Sequence, residues 1–267
     1  MDTKYNPLAD PPPAEVPLPN SPLVRVIAQV RFPLIVSIEK RDFIAPFQEA
    51  IRGSYPVLRT EQTQGLVVGP QVLAPIQPQI TWRFLNDAKG DWRVSLAPEF
   101  LALETTGYVS RSDFFGRLET VVKALEDHID PKILDRLGVR YIDRVTGDAM
   151  NRIRDLARPE VLGVLATSIR NNTLQSLSES LFEVPGKKAQ LMARWGILPK
   201  GVTMDASAME TIEQPSWILD IDMFSAESKS FDARNIIKEA RDYAERIYAL
   251  FRWAVTPDFL KFYGGHL

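Results

Sequence analysis

Trp217-Ile218-Leu219-Asp220-Ile221-Asp222-Met223-Phe224 is the stretch whose reading sets the fold. Side chains of a strand point alternately to two sides. Trp217, Leu219, Ile221 and Met223 therefore share one face, and Ile218, Asp220, Asp222 and Phe224 share the other. Just beyond it, residues 232–254 carry Ile236, Ala240, Tyr243, Ile247 and Phe251 on one helical stripe, which Pro257 is expected to end. A half-apolar strand followed by a half-apolar helix predicts a sheet covered by that helix, a layered α+β arrangement.

Working outward, residues 176–184 and 190–196 read as strands around a turn at Pro185 and Gly186. A polar loop, 199–215, separates them from the Trp217 strand. Upstream, 138–145 alternates Val139, Tyr141 and Asp143 with Arg140, Ile142 and Arg144. A helix is expected over 158–169, with Val161, Leu162, Leu165 and Ile169 inward.

The first half follows the same plan. Residues 23–32 alternate Val24, Val26, Ala28 and Val30 with Arg25, Gln29 and Arg31. A helix over 41–52 buries Phe43, Phe47, Ala50 and Ile51, and Gly53 and Pro56 close it. Strands follow at 66–68, at 80–85 and from Trp92, with 100–105 extending or following the last after Pro98, and a hairpin turn at 87–90. Ser110 with Asp113 three residues later marks a helix start. That helix buries Phe114, Leu118, Val121, Val122, Leu125 and Ile129 and stops at Asp130-Pro131. The expectation is α+β with two pseudo-repeated halves, each strand–helix–three or four antiparallel strands–long helix, packed as a layered body. The boundaries are 1–22, 23–135 and 136–267.

Residues 1–22 hold Pro7, Pro11, Pro12, Pro13, Pro17, Pro19 and Pro22, which favour extended polyproline geometry. They read as a strap, either a spacer lying on the body or a ligand for a partner's groove, with the spacer preferred. Cysteine is absent, so disulfides, thiolate metal sites and cysteine nucleophiles drop out. The net charge of −2 announces no polyanion binder. No apolar run is long enough for a bilayer, and the N-terminus does not read as a secretory signal. The expected address is the cytoplasm.

Asp220 and Asp222 lie about 7 Å apart on one strand face, a spacing that can hold a hard divalent cation. With no third ligand in view, the preferred reading pairs them with Arg140, Arg144 or Arg194 on neighbouring strands. His128 ends a helix and His266 sits in the tail, so neither a serine–histidine–aspartate triad nor a multi-histidine metal site is expected. Pro185-Gly186-Lys187-Lys188 lacks the leading glycine and closing hydroxyl of a phosphate loop. Arg136, Arg140, Arg144, Arg152, Arg154 and Arg158 gather at the opening of the second half, and Arg83, Arg93 and Arg194 extend the patch if they face alike. Trp82, Trp92, Trp195 and Trp217 mostly fall on core faces, so they are not read as base-stacking platforms.

The order of elements resembles the half-unit of the TATA-binding-protein-like fold, which also occurs in tandem; the likeness is of shape only. Pro19-Asn20-Ser21-Pro22-Leu23-Val24 leads into Ala28-Gln29-Val30-Arg31-Phe32. With Leu137-Gly138-Val139-Arg140-Tyr141-Ile142-Asp143-Arg144, and the closing helix with Ala244, Phe251 and Thr256-Pro257-Asp258, these runs resemble an uncharacterised, sporadically distributed family of bacterial proteins of about this length. Such a distribution implies mobile or defence-associated genes. The expected function is a non-enzymatic, cytoplasmic partner-binding protein, an accessory or neutralising subunit of a bacterial defence or toxin–antitoxin system. No cofactor or metal is expected, the partner is a protein, and self-association stays open. The expected contact elements are the strap and the loops 69–79 and 199–215. The alternative is a nucleic-acid-binding module using the arginine cluster. A metal-dependent enzyme using Asp220 and Asp222 is the third class, and a small-molecule cleft between the halves also stays open.

Overall fold

A computed structural model of the chain describes residues 5–63, 66–68, 73–75 and 79–266. The strands are β1 (Leu23–Arg31), β2 (Val57–Thr63), β3 (Leu66–Val68), β4 (Leu73–Pro75), β5 (Gln79–Leu85), β6 (Trp92–Ala97), β7 (Phe100–Thr105), β8 (Ile133–Leu134), β9 (Arg136–Val145), β10 (Ser176–Glu183), β11 (Gln190–Leu198), β12 (Ser216–Ser225) and β13 (Lys229–Ser230). The helices are α1 (Arg41–Ile51), α2 (Arg111–His128), α3 (Gly147–Asn151), α4 (Ile153–Leu156), α5 (Pro159–Leu162), α6 (Ala233–Ala254) and α7 (Pro257–Phe262). Nine strands form one sheet in the order β10-β11-β12-β9-β1-β7-β6-β5-β2. The α+β class stands.

The chain divides into two compact units, neither continuous in sequence. One, the meander unit, comprises Ile27–Gly138 and Ala226–Ala240. The other, the strap unit, comprises Met1–Val26, Val139–Ser225 and Arg241–Leu267.

In the meander unit, β5, β6 and β7 form successive antiparallel pairs, and β2 pairs with β5. The turn at 87–90 forms because the Asp87 carboxylate accepts from the Lys89 and Gly90 amides, and Gly90 takes a φ of 74°. Ser110 Oγ accepts from the Asp113 amide at 3.1 Å, so the capping residue starts α2 as its sequence predicts. Phe114, Leu118, Val121, Val122 and Leu125 are then fully buried. Each such side chain contributes about 1.5–3 kcal/mol relative to exposure. Trp82 also buries its polar end without penalty, since Nε1 donates to the Ile38 carbonyl at 2.7 Å. The sequence reading misses β2. Its Arg59, Thr60 and Glu61 are exposed, so it shows little apolar alternation; its backbone pairing to β5 makes it a strand.

In the strap unit, β10, β11 and β12 are successive antiparallel neighbours. α6 buries Tyr243, Ile247 and Phe251 here, as its period requires. One expectation fails. The helix over 158–169 is a single α turn, α5, followed by 3-10 turns at Gly163–Ala166 and Ser168–Asn172. Gly163 sits at φ 53°, which breaks the helical path, and Ile169 is exposed instead of inward. Pro257 lies beyond the end of α6, as its place in the sequence predicts. It occupies the first turn of α7, whose start is capped by Thr256 Oγ1 accepting from the Phe259 amide. Among the described residues, no helix is long and apolar enough to cross a membrane.

Candidate functional site

Charges of alternating sign run across the strap unit from strand to strand. Glu179 on β10 stands opposite Arg194 on β11, and Arg194 stands opposite Asp220 on β12. Arg194 Nε meets Glu179 at 2.5 Å, and its Nη1 reaches Asp220 at 3.4 Å. Arg140 on β9 then donates from Nε and Nη2 to the two oxygens of Asp220, at 2.7 and 2.8 Å. Its Nη1 bonds Asp205 of the 199–215 loop at 2.7 Å. The run is Glu179–Arg194–Asp220–Arg140–Asp205, and Asp220 has only 1% of its side chain exposed. Bidentate, charge-assisted bonds of this kind are the strong ones.

Two of the three arginines named as partners of Asp220 from its place on the strand are its partners here. Both Asp220 oxygens already accept guanidinium protons, so this carboxylate is engaged by arginine. Among the described residues, no group of three or more histidine, aspartate or glutamate side chains is suited to a metal.

The loop 199–215 lies over this run instead of projecting from it. Asp205 Oδ1 accepts from the Ser207 amide and hydroxyl, and its backbone carbonyl accepts from the Met209 amide. Ala208 and Met209 are buried. Arg144 Nη1 donates to the Glu210 carbonyl at 2.6 Å, a second tie between β9 and the loop. Partial burial of Asp205 opposes its charge, but the Ser207 hydroxyl and Arg140 outweigh it and hold the carboxyl at about 2. Burial likewise works against Arg140, and the bonds to Asp220 and Asp205 prevail and raise its pKa. The other proposed contact loop, 69–79, falls mostly outside the described residues.

Asp143, also on β9, is a different case. Burial raises its carboxyl to about 7, and the neighbouring charge of Asp220 adds to the rise. Tyr263, just past α7, is pushed up to about 12 by burial and then by Asp143. The sequence shows Asp143 as one more polar residue among arginines. Its neighbours Asp220 and Tyr263 lie far along the chain, so no local pattern discloses its setting.

The six arginines at the opening of the second half have distinct surroundings. Arg136 donates to Gln29 and lines a cleft of about 350 Å³ with Arg31, Phe32, Leu34, Glu99 and Asp135. Arg31 in that cleft is paired with Glu99. Arg140 and Arg144 are engaged as above. Arg152 lies over the Phe262 ring and Arg158 over the Trp253 ring, at 5.5 and 5.8 Å. Arg154 is exposed. Arg83 and Arg93 bind Glu61 and Glu104 in the meander unit.

The remaining feature is β10 itself, an outermost strand of the sheet. Leu177, Glu179 and Leu181 share one face of it, and both leucines are exposed, at 42% and 56%. Ile169 and Leu174 just before it are exposed as well. Opposite Leu177 stands Gly196, whose φ of 151° and close approach leave no room for a side chain: a Cβ there would collide with the Ser176 carbonyl oxygen. No sequence signal singled out this edge, because the alternation of Leu177 and Leu181 reads like that of any half-buried strand. No protein-family model matches the chain, and no curated protein matches it in sequence.

Proposed function

We propose that this chain acts by binding a protein partner along the β10 edge. The observation that carries the reading is the composition of that edge. An outermost strand offers unpaired backbone groups, and proteins usually blunt such edges with lysine, proline or a covering element. Ser176-Leu177-Ser178-Glu179-Ser180-Leu181-Phe182-Glu183 has neither lysine nor proline, and its leucines point outward. Strand addition supplies main-chain hydrogen bonds for affinity, and the Leu177 and Leu181 side chains supply selectivity. The family resemblance adds the role of accessory or neutralising subunit in a bacterial defence or toxin–antitoxin pair.

The arginine cluster supports a nucleic-acid role less well, because Arg140 and Arg144 are spent on Asp220, Asp205 and the loop backbone. The deciding experiment is native mass measurement of the chain purified gently from its own host, beside a Leu177→Lys, Leu181→Lys variant. The expected result is a stoichiometric protein partner, absent from a variant whose circular dichroism is unchanged. A partner retained by the variant removes the β10 assignment. Co-purified nucleic acid with salt-dependent affinity transfers the reading to the arginines.

A further inference from the structure

The N-terminal segment is not an idle spacer in its contacts. Between Pro7 and Val16 the segment meets the C-terminal half of α6, and three side chains of that helix bond its backbone. Arg246 Nη1 donates to the carbonyls of Pro7 and Asp10, at 2.7 and 2.8 Å. Arg252 Nη1 donates to the Ala14 carbonyl at 3.0 Å. The Tyr248 hydroxyl donates to the same carbonyl at 3.3 Å and accepts from the Val16 amide at 2.8 Å. Arg252 also donates to that hydroxyl, which fixes its position, and the Tyr248 ring stacks on Phe251 at 6.0 Å.

The far end of the segment is fitted just as closely. The Asn20 amide donates to the Tyr263 carbonyl. A Cβ on Gly265 would press on Leu18, Val16 and the Leu260 carbonyl at 2.9 Å, so the segment lies against bare backbone there.

The pattern of these bonds identifies the ligand class. A proline-rich chain has few amide donors but a full set of carbonyls; here residues 6–10 close a turn, the Ala9 and Asp10 amides donating to the Asn6 carbonyl, and residues 11–17 run on without further turns. α6 offers this segment mostly donors, and the segment returns a single amide. Recognition goes to its backbone and to the buried ring of Pro7, with exposed Pro11 and Pro12 left unread. Extended proline-rich ligands are held elsewhere in this way, by aromatic surfaces bearing donors.

We propose that Arg246, Tyr248 and Arg252 form a receptor site for proline-rich peptides in which a turn, held by Arg246, is followed by an open run, held by Tyr248 and Arg252. Residues 5–20 fill it in cis, and a partner protein's proline-rich segment fills it in trans by displacing them. The site shares no residue with β10, so it extends the partner-binding reading without depending on it.

The test uses the full chain with a protease site inserted between Asn20 and Ser21 and cut after folding. Labelled synthetic peptide of residues 5–20 is then added. The expected result is exchange of the cut segment for the labelled peptide, with saturable binding. Arg246→Ala and Arg252→Ala should each weaken it by about tenfold, the usual consequence of losing a hydrogen bond to a charged group. Leu177→Lys with Leu181→Lys should leave it unchanged, so failure here and failure at β10 are separable. Absence of exchange, or binding indifferent to both arginine variants, overturns the proposal. Exchange that occurs only as a dimer forms assigns the trans ligand to a second copy and overturns the partner-protein part.

Should the cut chain unfold, the uncut chain serves. A label on Ala9→Cys, the sole cysteine of that variant, reports strap release as peptide is titrated to the millimolar range, where a short tether's effective concentration lies. Strap release that saturates with peptide in the wild type, together with a larger fraction of strap already released before peptide is added in the arginine variants, supports the proposal. A strap never displaced in any of them overturns it.

Discussion

Each unit carries a ladder, that is, a chain of ion pairs in which acid and base alternate from contact to contact, and the two differ in what covers them. In the strap unit the ladder is Glu179–Arg194–Asp220–Arg140–Asp205, with its central acid buried and a loop tied across it. In the meander unit it is Glu61–Arg83–Glu104–Arg93, with distances of 2.6, 3.8 and 2.5 Å and the central Glu104 10% exposed. Their outer ends differ more. Glu179 lies between two exposed leucines, whereas Glu61 shares its strand face with the exposed Arg59. One ladder thus secures a loop and leaves an apolar edge, and the other keeps its edge charged.

The largest effect should come from breaking the covered ladder. Asp220→Ala strands Arg140 and Arg194 without their central partner, and removing one member of a buried pair costs about 3–5 kcal/mol. Glu104→Ala in the more open ladder should cost about 1–2 kcal/mol, nearer the value for an ordinary charged hydrogen bond. Urea denaturation of the two variants measures both. Equal losses would mean that the loop's cover has no energetic consequence.

Next in size is a pH dependence carried by the strap unit. Asp143 has its folded pKa raised from 3.8 to about 7, so the folded carboxyl keeps a proton that the unfolded chain has released. The native state then binds more protons across that interval, and stability falls as pH rises from about 4 through about 7. The upper bound for the whole interval is on the order of 4 kcal/mol. Asp143→Asn should flatten this slope. Asp205, held at about 2, acts with the opposite sign: its contribution is present above its unfolded value and is lost as pH falls through 2. Asp205→Asn should remove only that acid-side loss. A stability profile that Asp143→Asn leaves unaltered between pH 4 and 7 contradicts the burial argument.

How much of this was legible depended on how far apart the interacting residues lie. Asp220 and Asp222 announce a strand by their period, and carboxylates on its polar side call for Arg140, Arg144 or Arg194 on neighbouring strands, of which Arg140 and Arg194 meet Asp220. The Ser110–Asp113 cap and the stripe of α6 are equally local. Asp205 is not, since the 199–215 loop has no period and its contact with Arg140 crosses 65 positions. β2 was hidden because its exposed polar residues mask a strand defined by pairing, and 158–169 misled because its apolar spacing suits a helix that Gly163 interrupts. The apolar edge of β10 could not be seen at all, because whether an alternating strand is central or outermost is decided by the order of the sheet.

The seating of β10 itself can be tested at Gly196. Gly196→Ala places a methyl group against the Ser176 carbonyl and strains a backbone that alanine rarely adopts. It should cost about 1–3 kcal/mol and raise hydrogen exchange in β10 and β11 before the rest of the sheet. Uniform exchange changes would show that β10 does not open separately.

The smallest effect on stability is the most informative about the edges. Arg59→Leu on β2 leaves an apolar residue on the same strand face as Glu61, much as Leu177 and Leu181 flank Glu179. Arg59 is exposed and stands opposite Arg83, so its loss removes a like-charge neighbour, and stability should stay within about 0.5 kcal/mol. Solution behaviour should change instead, because lysine, arginine and proline on an outer strand discourage edge-to-edge pairing. Sedimentation velocity over a range of concentrations is the measurement, and the expectation is reversible self-association of Arg59→Leu beyond that of the wild type. If the variant sediments as the wild type does, charge on the edge is not what keeps β2 unpaired. Leucines on β10 would then be no guide to where a partner strand docks.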